Sequence, residues 1–498
     1  MAAQKKLLSP LTILMLVIVI GAIATWLIPA GKYDTLAYAD NKSFLYKGAA
    51  GETVLPFTQH TIDSLGILIP LERFSSGSIR KPVSVPGTYK KMPSQKQGII
   101  AIFKGPVKGI YDSIDIIFFV ILIGAFIQII NESGAMIRGL AVLSYKMKGR
   151  ESWLIIILTF LFSFGGSSYG MAEEALAFFP VLIPIFIAAG YDLILPVAVI
   201  FAGTQLGTLS SFTNPFSTII ASNAAGINWT EGLTERIIMF VITTAISIWY
   251  FVRYANKVKK DPTASFVYKT GGEITKPAIP TTVKPAPLET RDKLTLIIFA
   301  ATFLGMIAGV VFFDWWLLEM STLFFASSIL AAIVLRLPES VFIKQFIEGA
   351  QGILPVALII GVARGVTVML NEGQISDSII FYAAQLVSTM PPALFIVLLL
   401  CMYMVFTLFI SSSSGMAVLT MPIMGSLALL VNVPGREIVN AYLFGMGIMG
   451  FMTPTGLILP SLALANVSLK AWWRFIYPLL IMLFIVCAIC LVVGIYIK

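Results

Sequence analysis

Residues 162–192 read FSFGGSSYGMAEEALAFFPVLIPIFIAAGYD, and residues 210–226 read SSFTNPFSTIIASNAAG. Small polar residues, the paired carboxylates Glu173 and Glu174 and an Asn214-Pro215 break stand here inside sequence otherwise apolar enough for a bilayer interior. A second version lies near the C-terminus, where residues 406–430 read FTLFISSSSGMAVLTMPIMGSLALL and residues 451–468 read FMTPTGLILPSLALANVS. Gly170-Met171-Ala172 answers Gly415-Met416-Ala417, and Asn214-Pro215 answers Thr453-Pro454. Each copy passes from an apolar run into a serine cluster, then through a Pro-containing apolar run to a second polar break.

The composition names the solvent. Of 498 residues 58% are hydrophobic and 12% charged, with mean hydropathy +0.91. Soluble domains carry about 25% charged residues, so lipid is the main surrounding medium. The net charge of +9 does not point to nucleic acid, because the basic residues gather at segment ends and in two loops. The positive-inside rule and headgroup contact account for them there. Cys401, Cys487 and Cys490 lie in apolar runs and read as small buried hydrophobes. A single histidine, His60, in a polar loop leaves no His-based metal site or nucleophile pair, which weighs against an enzyme. Neither loop is long enough to resemble a soluble signalling domain, which weighs against a sensor.

Outward from the two polar stretches the chain divides into spans and connections. Residues 1–31 read as a first transmembrane helix behind Lys5-Lys6, with a cleaved secretory signal as the competing reading. Residues 32–112 read as an extracytoplasmic loop with a Val85-Pro86-Gly87-Thr88 turn. Residues 113–252 complete a first repeat, with an inward-entering hairpin at 152–189. Residues 253–293, rich in Lys and Pro, read as a cytoplasmic linker. Residues 294–313 form a connecting helix that inverts the second half relative to the first. Residues 314–498 hold a second repeat with an outward hairpin at 393–431. The expected fold is an all-α polytopic membrane protein, an inverted-topology repeat of about nine transmembrane helices and two re-entrant hairpins with discontinuous helices. Two further correspondences support the repeat. Gly105 through Gly109-Ile110 resembles Gly349 through Gly352-Ile353, and Asn131-Glu132-Ser133-Gly134 resembles Asn371-Glu372-Gly373.

Broken helices bring unpaired backbone groups to the midplane, where half-helix N-termini attract anions and freed carbonyls attract cations. Two tips and two breaks converging on one site make Ser167, Ser168, Tyr169, Thr213, Asn214, Ser412, Ser413, Ser414, Thr453 and Thr455 candidate substrate contacts. For the serines, close helix packing is the competing role. Carboxylates inside a span are costly and mark substrate, ion or proton pathways, which selects Glu173 and Glu174. Their counterparts are Val418 and Leu419, so the site is asymmetric in charge. Neighbours on a helix point about 100° apart, so one is expected to face the substrate while the other pairs or caps the helix N-terminus. Arg364 is the other deep charge, suited either to a substrate carboxylate or to neutralising a hairpin glutamate. Glu132 and Glu372 read as solvated helix ends.

Over nearly its whole length the chain resembles the YfcC-type branch of the DcuC-like anaerobic carriers, within the ion-transporter superfamily. The likeness rests on Trp26-Leu27-Ile28-Pro29-Ala30-Gly31, Val85-Pro86-Gly87-Thr88-Tyr89, Asp115-Ile116-Ile117-Phe118-Phe119, Tyr169-Gly170-Met171-Ala172-Glu173-Glu174 and Thr213-Asn214-Pro215. The resemblance implies a secondary carrier of C4-dicarboxylates or of basic amino acids, in a bacterial inner membrane. It also implies a scaffold, a mobile transport part and a homodimer. Where dicarboxylate relatives place Ser-Asn-Thr at the hairpin tips, this chain has Gly166-Ser167-Ser168-Tyr169 and Ser412-Ser413-Ser414-Gly415.

An amino acid with a cationic side chain needs an acidic partner and donors for its α-carboxylate, and the hairpin carboxylates with half-helix N-termini supply both. The expected activity is alternating-access transport of such an amino acid, of the arginine/ornithine exchange type, with a sodium- or proton-coupled dicarboxylate carrier as the alternative. No cofactor is called for. Hydroxyls and carbonyls suit sodium, a buried glutamate suits a proton, and an exchanger needs neither.

Overall fold

The computed structural model describes residues 10–39, 43–48, 51–75, 79, 82–136, 138–139, 142, 150–168, 170–270, 287–313, 315, 317–387, 390–410, 412–431 and 433–496. Tyr169 and the centre of the linker lie outside this set. Eight continuous helices among the described residues are long and apolar enough to cross a membrane: Pro10–Leu27, Ile114–Glu132, Glu151–Ser168, Leu233–Lys260, Leu317–Val334, Glu339–Glu372, Pro392–Phe409 and Leu469–Tyr496. The 24-residue helix Thr290–Phe313 lies between the halves. Two further apolar stretches are interrupted: Ile194–Leu209 leads to a break and then Ile220–Ala224, and Gly435–Gly450 leads to a break and then Ile458–Leu464. The helices mark a multi-pass membrane protein.

The helices that open the two expected hairpins, Glu151–Ser168 and Pro392–Phe409, are each 18 residues long. Each packs mainly on the interrupted stretch of its own half. Glycines allow this approach: a Cβ on Gly203 would lie 2.8 Å from the Phe162 Cβ, and one on Gly445 would lie 2.6 Å from the Tyr403 Cβ. The two interrupted stretches also touch each other, and Leu233–Lys260 and Leu469–Tyr496 close the group.

A second group contains Pro10–Leu27, Ile114–Glu132, Leu317–Val334 and Glu339–Glu372, together with Ile99–Tyr111. This last helix corrects the expected outer loop of 32–112. It lies antiparallel against Glu339–Glu372 and continues, after an interruption at Asp112-Ser113, into Ile114–Glu132. Together the two segments match the length of the single 34-residue helix Glu339–Glu372. Aligning Asn131-Glu132 with Asn371-Glu372 pairs Gly109 with Gly349 and Ala125 with Gly365. A Cβ on Gly109 would lie 2.9 Å from the Gly365 Cα, and a Cβ on Gly349 would lie 2.7 Å from the Ala125 Cα. Under that alignment each contact is the image of the other. The register pairs Gly349 with Gly109, correcting the pairing with Gly105 read from the sequence.

The polar stretch after the first helix departs from an all-α description. It forms a four-stranded antiparallel sheet in the order β4-β3-β2-β5, built from β2 (Thr35–Ala39), β3 (Ser43–Gly48), β4 (Gly51–Pro56) and β5 (Val83–Ser84). A two-stranded pair joins β1 (Gly31–Lys32) to β6 (Lys90–Lys91). Phe44 is the centre of its core, 4.9 Å from the Phe57 ring and 5.1 Å from the Phe74 ring. The cap is fastened beyond the end of the long helix, where Tyr33 N donates to Asp377 Oδ2 at 3.0 Å and the Tyr89 ring stacks on Phe381 at 3.9 Å.

Candidate functional site

The first hairpin tip and the first break are locked together by their own polar groups. Ser167 is fully buried; its hydroxyl donates to the Ser210 carbonyl at 2.9 Å and accepts from Phe212 N at 3.2 Å. The Thr213 hydroxyl donates to the Ser168 carbonyl at 2.9 Å, while the Ser168 hydroxyl donates to Phe164 O at 2.6 Å. Pro215 disfavours helix at Asn214, which instead caps the next turn: its Oδ1 accepts from Phe216 N at 2.8 Å and its amide donates to Gly166 O at 3.0 Å. Gly170, at φ +85°, packs so close to Asn214 that a Cβ would lie 2.7 Å from its Oδ1. These side chains satisfy the backbone groups freed by the breaks, and the candidate contacts Ser167, Thr213 and Asn214 are engaged with backbone of the tip and the break.

The second tip is looser. Ser412 caps helix Ser413–Leu430, its hydroxyl accepting from Gly415 N at 3.1 Å. Tyr442 reaches the Ser413 carbonyl at 2.9 Å, and Ser412 and Ser414 hydroxyls stand 3.5 Å apart. Thr453 and Thr455 bond each other at 2.9 Å, and Thr455 donates to Leu408 O at 3.3 Å.

Between this tip and the long helix lies a cavity of 220 Å³. Arg364, Thr367 and Asn371 line one side, Ser412, Gly415 and Leu419 the other, and Asp112 also borders it. Of the candidates read from the sequence, Arg364 and Ser412 meet here; the remaining described ones are not among its lining residues. Among the described residues, the Arg364 guanidinium has no hydrogen-bond partner in the protein. Its charge acts on Glu173, as does that of Asp115. Glu173 is half-buried at the start of the 3-10 turn Glu173–Phe178. Glu174 is 5% exposed, and its Oε2 accepts from Ala172 N at 2.9 Å, so it caps the turn. The division of labour expected for adjacent glutamates therefore has its capping half at Glu174.

Sequence reasoning missed Asp112, Thr367 and Asn371. Asp112 had a signal: Tyr111-Asp112-Ser113 interrupts an apolar run whose partner in the other half has no interruption. Glu372, expected at a solvated helix end, ends helix Glu339–Glu372 and pairs there with the exposed Lys108.

Known proteins resemble this chain over nearly its whole length. The family model for DcuC, the C4-dicarboxylate anaerobic carrier, matches residues 7–496. A protein of Haemophilus influenzae is 38% identical over 493 residues, covering 98% of this chain and 96% of that one. The putative basic amino acid antiporter YfcC of Escherichia coli is 29% identical over 499 residues, covering 97% and 95%. The crystal structure of the Alcanivorax borkumensis YdaH transporter aligns over 98% of each chain at 12% identity, with a TM-score of 0.40.

Proposed function

We propose, from the premise that the chain belongs to the DcuC family of C4-dicarboxylate anaerobic carriers, that this membrane transporter carries an amino acid with a cationic side chain by alternating access, in exchange of the arginine/ornithine type. The observation that carries the reading is the Arg364 guanidinium, without a hydrogen-bond partner among the described residues, in a cavity whose other charged lining residue is Asp112. Arg364 holds the substrate α-carboxylate as a bidentate pair, assisted by the Ser412 hydroxyl. The negative charge of Asp112 on the cavity wall favours a substrate bearing a compensating cation and opposes a second carboxylate. The name of the Escherichia coli relative agrees with this reading.

A C4-dicarboxylate is the second reading, favoured by the family description and by Arg364 itself. Ligand-induced thermal stabilisation in detergent separates the two. A ligand at a hundred times its Kd adds about 2.7 kcal/mol to the folded state. Arginine and ornithine should raise the melting temperature of the wild type and fail to do so in Arg364→Ala. Stabilisation by succinate or fumarate, with none by arginine or ornithine, overturns the reading.

A further inference from the structure

One carboxylate, Asp112, lines the cavity; Asp115, Glu173 and Glu174 are not among its lining residues. Asp115 accepts from Ile116 N at 2.9 Å, and Glu174 accepts from Ala172 N at 2.9 Å. Asp112 is different. It is exposed, it borders the cavity directly, and among the described residues its carboxylate makes no hydrogen bond within the protein. It also stands at the C-terminal end of helix Ile99–Tyr111, its own N–H closing the last turn on Lys108 O at 2.9 Å. Asp112 thus lies at the helix end that carries the partial negative charge.

The register between the halves sharpens this. Aligning Asn131-Glu132 with Asn371-Glu372 places Asp112 opposite Gly352 and Arg364 opposite Gly124. Each half therefore contributes one charge to the cavity at a position where the other half has glycine. Acid and base come from different repeats and different helices, and both border one volume.

We infer that Asp112 is the residue that selects the substrate side chain: its carboxylate, with the carbonyl end of helix Ile99–Tyr111, receives the guanidinium or ammonium of a cationic amino acid whose α-carboxylate lies on Arg364. This rests on the proposed function and adds the group that discriminates a cationic amino acid from its neutral isostere. Glu173 and Glu174 then shape the field and the hairpin tip without touching the side-chain cation.

The test is competition for labelled arginine uptake in proteoliposomes, with arginine, ornithine and citrulline as competitors; citrulline keeps the length of arginine and lacks its charge. Wild type should prefer arginine to citrulline by about tenfold to a hundredfold, the range of one charge-assisted interaction. Asp112→Asn should bring that ratio close to one by raising the KM for arginine while citrulline is unaffected. Asp115→Asn should keep the wild-type ratio. Asp112→Glu, which advances the charge by one methylene, should shift preference from arginine toward the shorter ornithine. If wild type prefers arginine and Asp112→Asn retains that preference, or if Asp112→Glu leaves the arginine-to-ornithine ratio unchanged, the inference is overturned while the proposed function stands. If wild type ignores arginine and ornithine altogether, the proposed function falls and the inference with it.

Discussion

Gly109 and Gly365 bring two helices of opposite direction into backbone contact: a Cβ on Gly109 would lie 2.9 Å from the Gly365 Cα, with Gly361 O and Gly365 N nearer still. All three neighbours are backbone atoms, so the clash has no side chain to move aside. Gly109→Val should therefore destabilise the protein by more than the about 1–3 kcal/mol usual for overpacking, seen as loss of monodisperse protein in detergent. Gly352→Ala, in the same helix pair but with nothing near a Cβ, should be neutral or slightly stabilising. Equal damage from both substitutions would refute the packing register.

The serines of the two tips should behave differently. Ser167→Ala removes a buried hydroxyl that both donates and accepts, leaving Phe212 N without it, and should cost about 1–3 kcal/mol of stability. Ser412→Ala removes a cavity group and one cap at a partly exposed tip, and should raise the transport KM with a smaller loss of melting temperature. Thermal unfolding and uptake kinetics on both variants decide this; the reverse ranking contradicts the assignment.

Glu174→Gln keeps an oxygen able to accept from Ala172 N, whereas Glu174→Ala does not. Transport should survive the first substitution largely intact and fall with stability in the second. Loss of transport in Glu174→Gln without loss of folding would return the carboxylate to the substrate.

Much of the helical frame is legible in the sequence, because in lipid the signals are long apolar runs punctuated by Gly, Pro and Ser, and a repeat doubles each of them. Arg364 is legible because a lone charge far from a span end has few structural uses. The hydroxyls of Ser167 and Thr213 are ambiguous for a physical reason: a polar side chain beside a helix break serves the freed backbone as readily as a ligand, and the sequence does not say which way it points. Asp112 escapes because the helix before it, with Lys104, Pro106 and Lys108, looks like the end of a polar loop. The cap escapes too. Its strands are short and its core rests on a few aromatics, Tyr38, Phe44 and Phe57, among polar residues.

The cap has its own pH dependence. The Tyr46 hydroxyl donates to Asp34 Oδ2 at 2.5 Å, and this hydrogen bond to a carboxylate pushes the Tyr46 pKa up to about 12. A pKa raised above its unfolded value means the contribution is complete below about pH 10 and lost as pH rises toward 12. Protease cleavage within the cap should therefore increase between pH 10 and 12 in the wild type. In Tyr46→Phe that increment should be absent, with cleavage already higher at pH 8. A wild-type profile unchanged by the substitution would show that this bond does not hold the cap.

The central claim is exchange of cationic amino acids, and counterflow measures it most directly. Proteoliposomes loaded with unlabelled ornithine and diluted into labelled arginine should accumulate label transiently above equilibrium, while vesicles without internal amino acid should not. Succinate-loaded vesicles should give no such overshoot with labelled succinate. An overshoot with succinate or fumarate, and none with arginine or ornithine, would contradict the account.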